Sequence, residues 1–136
     1  MVKIIYGAKG TGKTKIAIDM ANTEAKETKG LVVFVTDTNR GMFDLNYQVR
    51  LINTTEYNVM GMEGLRGFVK GIVAANTDNQ HIYIDGIARI TDKSLAELED
   101  LFVAIEKLGE DHNVEFVITC SAAKEDLPEY LTKYIG

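Results

Sequence analysis

The feature that most constrains the fold is a regular alternation of short β-type runs and longer helical patterns along nearly the whole chain. Five runs rich in β-branched and other apolar residues predict strands at 2–6, 31–35, 49–52, 81–84 and 114–119. The run at 31–35 is apolar at every position, as expected of a strand that is buried on both faces. Such alternation is typical of a mainly parallel sheet covered by helices. We therefore predict a three-layer α/β/α domain with a five-stranded sheet.

Helical periodicity separates most of these strands. Apolar side chains recur at helical spacing in 12–27, 61–75 and 95–108, and a helical tail is expected after Asp126. Ser94 and Glu97 have the spacing of a capping box at the start of the third helix. Gly30 and Gly109 are the expected ends of the first and third helices. The element order is therefore βα, β, βα, βα, βα.

Size, charge and cysteine content restrict the class of protein. The chain has 136 residues, which suits one domain with a single core. Its 15 basic and 20 acidic residues give a formal charge of −5, which argues against broad nucleic-acid binding, because that affinity comes from neutralising phosphates. No apolar run approaches the roughly 20 residues that cross a bilayer, so we expect no membrane insertion. The lone Cys120 cannot form an intramolecular disulfide, which favours a cytoplasmic protein.

A glycine-rich segment between the first strand and the first helix matches the pattern G-x-x-x-x-G-K-[ST]. Glycines permit the backbone angles that turn successive N–H groups inward, and a helix N-terminus adds further N–H donors for an anion. The pattern predicts that Lys13 reaches the β- and γ-phosphates of a nucleoside triphosphate, and that the Thr14 hydroxyl ligates Mg²⁺. The predicted nucleotide-binding residues are Gly7, Ala8, Lys9, Gly10, Thr11, Gly12, Lys13 and Thr14.

A second motif ends the fourth predicted strand. The apolar run 82–84 is followed by Asp85, and a carboxylate at the end of a nearby strand is what such a site needs to hold the magnesium shell. Asp85 is therefore the second predicted metal residue, beside Thr14. Gly86 comes next, so the glutamate that many ATPases carry immediately after this aspartate is absent.

With these two motifs in place, the chain resembles the RecA-like branch of the P-loop nucleoside triphosphatases. The likeness covers nearly the whole chain, including the strand that ends in Thr36-Asp37-Thr38, the Ile84-Asp85-Gly86 turn and the run 117–121. It implies a sheet in the order 51, 31–35, 81–85, 114–119 and 2–6. The strand 2–6 would then lie at an edge, which the C-terminal helix or another subunit would have to cover.

The resemblance also implies catalytic residues beyond Lys13. The family places the glutamate that activates water just past the second strand, where this chain has Asp37; the alternative is that Asp37 only forms a turn. The family places a polar sensor at the end of the strand beside the loop strand. Ser121 matches that place better than Thr119, although a serine there could equally cap the last helix.

Four other residues have weaker patterns. Arg40 and Arg89 follow the second and fourth strands, where they could contact phosphate or act across a subunit boundary, or be ordinary surface arginines. Neither His81 nor His112 has a partner at metal-ligand spacing along the chain.

These residues favour a Mg²⁺-dependent ATP-binding protein that hydrolyses the γ-phosphate, slowly or with the help of a partner. The absent glutamate also leaves open a non-catalytic nucleotide sensor or subunit. A small-molecule or nucleoside kinase is a third interpretation, although the segment directly after Ser121 contains no arginine for a lid and offers only Lys124. The absence of an Asn-Lys-x-Asp element argues against a guanine-specific switch. The expected partners are ATP or ADP with Mg²⁺, and a second copy or another protein.

Overall fold

A computed structural model describes residues 1–135 and contains five strands and four α-helices. The strands are β1 (Val2–Gly7), β2 (Leu31–Thr36), β3 (Val49–Asn53), β4 (Asn79–Ile84) and β5 (Glu115–Ser121). The helices are α1 (Lys13–Glu27), α2 (Gly61–Ala75), α3 (Ile87–Thr91) and α4 (Glu99–His112). Short 3-10 turns lie at Thr54–Tyr57, Leu95–Glu97, Lys124–Asp126 and Glu129–Tyr134. The chain is thus an α/β protein, as its alternating pattern predicts.

All five strands are parallel and lie in the order β1-β5-β4-β2-β3. This is the expected order, with β1 at one edge. Val35 pairs with Ile84, Ile84 with Ile118, and Gly7 with Ser121. The residues that follow these strands therefore emerge together at one edge of the sheet, which we call the carboxyl edge. The opposite edge, where the strands begin, is called the amino edge.

Helices bury both faces of the sheet. On one face, Ala17, Ile18 and Ala21 of α1 pack against Phe34 and Tyr83, whose rings are stacked with centroids 6.0 Å apart. On the other face, a larger core is formed by buried residues of α2, α3 and α4, and includes Leu65, Ile87, Leu101, Phe102 and Ile105. Burying side chains of this kind contributes about 1.5–3 kcal/mol each before entropy is counted. Among residues 1–135, no helix has both the length and the apolar character needed to span a bilayer.

The ends of two helices differ from the sequence-based expectation. Gly109 does not end α4 but lies buried inside it, where an added Cβ would come within 2.7 Å of the Val114 carbonyl oxygen. This glycine allows α4 to approach β5 closely. The helix ends instead at Asn113, which adopts the left-handed conformation with φ 56°. The first helix ends at Glu27, before Gly30, because Thr28 is extended and only its N–H still bonds to Glu24.

The region before α4 and the C-terminal tail form 3-10 structure. The predicted capping box of Ser94 and Glu97 is present, but it opens the 3-10 turn rather than α4 itself. The tail is not an α-helix: it forms 3-10 turns that pack against β1, with Leu131 and Tyr134 buried in the same core as Val2. The hydroxyl of Tyr130 in this tail donates a hydrogen bond to the Leu95 carbonyl. The C-terminal tail thus contacts the edge strand β1. A C-terminal segment against this strand is one of the two alternatives expected from the sequence, the other being a second subunit.

Candidate functional site

The loop over residues 7–14, called here the glycine-rich loop, connects β1 to α1 at the carboxyl edge. Gly10 and Gly12 have φ of 82° and 87°, in the left-handed region that side chains disfavour. Gly7 is required for a different reason, since an added Cβ would lie 2.6 Å from the Thr11 hydroxyl oxygen. The Thr11 hydroxyl in turn donates to the Ala8 carbonyl at 2.7 Å. The loop is therefore a defined turn closed by its own hydrogen bonds.

Lys13 begins α1 and is only 8% exposed. Its Nζ donates to the Ala8 carbonyl at 3.0 Å, so the charge is held at the loop. Gly12, at the N-cap, supplies no side-chain acceptor for the first N–H groups of α1. Helix N-termini without such a cap present donors and a partial positive charge to anions. The loop, the helix end and the buried ammonium group together concentrate N–H donors and positive charge at one place.

A buried polar network adjoins Lys13. The Thr14 hydroxyl donates to the Asp85 carboxylate, at 3.2 and 3.1 Å from its two oxygens. Asp85 follows β4 and is 3% exposed. The Thr119 hydroxyl donates to Asp85 Oδ1 at 2.8 Å and accepts the N–H of Gly86 at 3.1 Å. Thr119 therefore orients the carboxylate toward Thr14. The two residues expected to hold a metal are in direct contact.

The charged pair Asp37–Arg89 lies beside this network. Asp37 follows β2, and Arg89 lies on α3; Nε and Nη2 of Arg89 donate to the carboxylate at 3.0 Å each, in a bidentate pair. The hydrogen bond to Asp37 raises the pKa of Arg89 above its ordinary value, so the guanidinium stays charged. Nη2 of Arg89 also lies 3.9 Å from Asp85. A Cβ on Gly86, whose φ is 88°, would come within 2.6 Å of the guanidinium carbon, so this position needs glycine.

These groups line a cleft of about 600 Å³ at the carboxyl edge. Its lining includes Lys9, Thr14, Asp37, Arg40, Asp85 and Arg89. The volume lies within the usual range for small-molecule sites, about 300–1,000 Å³. Thr36 also lines it, and the Thr36 hydroxyl is buried without a hydrogen-bond partner among the described residues. A buried, unpaired hydroxyl is costly, so this group is suited to contact a bound molecule.

The structure assembles most of the residues that the sequence singles out. Thr14 contacts Asp85, Lys13 is held on the adjoining loop by the Ala8 carbonyl, and Asp37 lines the cleft but is paired with Arg89. Ser121 is exposed and lies outside this network, in a small neighbouring pocket that also contains Lys9 and Arg89. Thr119, rather than Ser121, contacts the Asp85 carboxylate. The strand register explains this contact. Because Ile118 pairs with Ile84, the residue after Ile118, which is Thr119, lies beside Asp85.

Cys120 is buried on β5, and it is the chain's only cysteine. Burial raises the pKa of the Cys120 thiol to about 12, and the nearby Lys13 offsets this shift only in part. A thiol with so high a pKa is not a nucleophile at neutral pH. Cys120 therefore acts as a small core residue, as expected.

Compared with protein-family models and with curated protein sequences, the chain has no match.

Proposed function

We propose that this protein binds a nucleoside triphosphate with Mg²⁺, with ATP as the expected nucleotide, and that it hydrolyses the γ-phosphate as a RecA-like P-loop ATPase. The observation that carries the proposal is the contact between the Thr14 hydroxyl and the buried Asp85 carboxylate, directly beside the glycine-rich loop. This places a metal-type donor pair next to an anion-binding loop. Such a combination is what a magnesium–phosphate complex needs.

Each group has a role in binding. The N–H groups of the loop and of the first turn of α1 would surround the β-phosphate. Lys13 would exchange its hydrogen bond to the Ala8 carbonyl for one to a phosphate oxygen. Its ammonium charge would therefore be paired with an anion only when the ligand is bound. The ligand would also offer a partner to the Thr36 hydroxyl.

The donors at the metal position fit Mg²⁺. A hydroxyl and a carboxylate are hard oxygen ligands, and Mg²⁺ is usually held by one or two such groups with water and phosphate oxygens completing its shell. Thr14 and Asp85 would hold it, with Thr119 orienting the carboxylate. A bound magnesium ion supplies charge that neutralises the phosphates. Lys13 and Arg89 would stabilise the negative charge that develops on the transferred phosphoryl group.

A non-catalytic nucleotide sensor is the second candidate, and the Asp37–Arg89 pair favours it. Asp37 is the only acid at the family's water-activating position, and its carboxylate is engaged by two guanidinium N–H groups. For Asp37 to orient water, Arg89 has to move away, for example onto a phosphate. In the sensor, Arg89 would stay on Asp37 and the nucleotide would only stabilise the conformation.

Calorimetric titration of ATP, ADP and GTP with Mg²⁺, run beside a phosphate-release assay on the same sample, tests the proposal. Lys13→Ala should weaken ATP binding by about 10–100-fold, the equivalent of losing one charge-assisted hydrogen bond. Asp85→Asn should remove most of the dependence of binding on Mg²⁺. Lys26→Ala, in the last turn of the same helix, is the matched control and should bind like the parent.

The outcomes separate the two candidates. Binding with Lys13-dependent phosphate release supports the ATPase, and binding without release over hours supports the sensor. If none of the three nucleotides binds, or if Lys13→Ala and Lys26→Ala bind equally well, both candidates are wrong.

A further inference from the structure

Three potential metal ligands converge at the amino edge of the sheet, at the other end of α1 from the glycine-rich loop. Glu24 comes from the penultimate turn of α1, His81 from β4, and Glu115 from the start of β5. One ligand atom from each lies within 4.8 Å of the others. His81 Nδ1 is 2.7 Å from Glu24 Oε1 and 3.5 Å from Glu115 Oε2. Three elements thus bring their donors to one point.

The other ring nitrogen of His81 is also engaged. Its Nε2 lies 2.9 Å from the Thr28 hydroxyl, and the same hydroxyl accepts the N–H of Gly30 at 3.1 Å. The hydroxyl has a second lone pair and is placed to accept Nε2–H as well. With the proton on Nδ1, the ring donates to Glu24 and the Thr28 hydroxyl donates to Nε2. With the proton on Nε2, the Nδ1 lone pair and two carboxylates are three acceptors around one point, which is the arrangement that a metal ion needs.

The cluster opens onto a groove of about 510 Å³. Three acids, Asp19, Glu24 and Glu115, line this groove together with Lys3. The groove gives an ion a path from solvent to both carboxylates of the cluster.

We propose that Glu24, His81 and Glu115 form a binding site for a divalent first-row transition-metal ion, for which Zn²⁺ is the probe. One imidazole nitrogen and two carboxylate oxygens are a common donor set for such ions, and water from the groove would complete the shell. When Nδ1 binds the ion, Nε2–H donates to the Thr28 hydroxyl, and this contact orients the imidazole ring. An imidazole ligand also separates this site from the all-oxygen position at Thr14 and Asp85, which suits Mg²⁺.

Metal binding requires one adjustment. Zinc bonds of about 2.0–2.2 Å place neighbouring donors more than 3 Å apart, so the direct contact of His81 with Glu24 has to open by several tenths of an ångström. Glu115 is 58% exposed in its side chain and is free to close on the ion. The bound ion would tie the last turns of α1 to β4 and β5. It would stabilise the fold independently of any nucleotide.

The test uses the full chain, freed of any histidine tag and treated with a chelator, in calorimetric and thermal-unfolding titrations with ZnCl₂. One Zn²⁺ should bind with a Kd below about 100 μM. At 100 times that Kd the midpoint of unfolding should rise by about 8 °C, as expected for a ligand that binds only the folded state of a domain of this size. Co²⁺ gives an independent readout, because its visible absorption reports nitrogen and oxygen coordination.

Variants assign the site. His81→Ala and Glu115→Gln should each weaken Zn²⁺ binding at least tenfold. Thr28→Val should weaken it by about 10–100-fold, because the hydroxyl that holds His81 Nε2 is lost. Glu115→Gln is exposed and should fold normally. His112→Ala, the chain's other histidine, and Glu27→Gln, three residues after Glu24, are matched controls and should bind like the parent.

A Kd above about 100 μM for the parent chain would show that a proton, and not a metal, joins these groups. Equal Zn²⁺ binding by His81→Ala and His112→Ala would show the same. Lys13→Ala should bind Zn²⁺ normally. A failure of the nucleotide proposal therefore leaves this result unchanged.

Discussion

Thr119→Val should destabilise the protein strongly, because the Thr119 hydroxyl has two buried partners. It donates to the Asp85 carboxylate at 2.8 Å and accepts the Gly86 N–H at 3.1 Å. Valine has nearly the same shape and leaves no cavity, so the change isolates the hydroxyl. Since Asp85 is 3% exposed and Thr119 is 5% exposed, water does not readily replace either bond.

The magnitude follows from these two contacts. Losing a hydrogen bond to a charged group costs about 1.5–3 kcal/mol, and leaving a buried N–H without an acceptor costs about 1–3 kcal/mol. The added methyl group returns about 0.8 kcal/mol through apolar burial. The net cost is about 2–5 kcal/mol, a large part of the 5–15 kcal/mol that stabilises a typical domain.

Urea denaturation of the ligand-free protein measures this cost. With an m-value of about 2 kcal/mol/M, the midpoint should fall by about 1–2.5 M urea. Two matched variants carry the same substitution at other buried threonines. Thr91→Val removes only a bond to carbonyls of its own helix and should cost less than about 1 kcal/mol. Thr36→Val removes a hydroxyl without a partner and should be neutral or stabilising.

The reasoning is refuted if Thr119→Val costs no more than Thr91→Val with an unchanged m-value. That result would mean that the Asp85 carboxylate and the Gly86 N–H find other partners, so Thr119 would not orient the carboxylate.

Three further changes have defined outcomes. Burial raises the pKa of Cys120 to about 12, so the thiol loses its proton at a lower pH in the unfolded chain than in the folded protein. The free energy of unfolding should therefore stay constant up to about pH 8.5 and then fall by up to about 1.4 kcal/mol per pH unit toward pH 12. In denaturation curves, Cys120→Ala should remove the fall between about pH 9 and 10. Asp37→Asn should lower the free energy of unfolding by less than about 1 kcal/mol, because its partner Arg89 is half exposed. The same change should reduce phosphate release, while the affinity for ATP stays the same or rises. Unchanged phosphate release would show that Asp37 only forms a turn and an ion pair. Leu131→Ala should cost about 2–5 kcal/mol in the same urea assay, and a much smaller loss would mean that the C-terminal 3-10 turns do not stabilise β1.

The strands and the glycine-rich loop could be predicted because each depends on local pattern, whereas the strand order came only from the resemblance to RecA-like proteins. The glycines and Lys13 are adjacent in sequence, and Asp85 directly ends a run of apolar residues. Parallel strands then bring their ends to one edge, which is enough to place Asp85 near Thr14. These contacts follow from topology without knowledge of any side-chain rotamer.

Contacts set by tertiary packing could not be predicted in this way. Gly109 resembles a helix stop in the sequence, but in the structure it allows a close approach to β5 that no local pattern encodes. The short helix α3 has five residues, too few for a periodic signal, and it brings Arg89 to Asp37. The cluster around His81 joins residues far apart in the chain, so no ligand spacing is visible in the sequence.

The bidentate pair of Asp37 and Arg89 also bears on which anions the cleft accepts. An anion that approaches Arg89 meets a guanidinium already satisfied by an internal carboxylate, so it has to displace that carboxylate rather than water. A chloride ion gains one weak contact from the exchange. A polyphosphate bound as proposed would also gain the loop N–H groups and Lys13, which would offset the loss. Asp37 would then set an affinity threshold by internal competition, and simple salts should occupy Arg89 more readily once this carboxylate is removed.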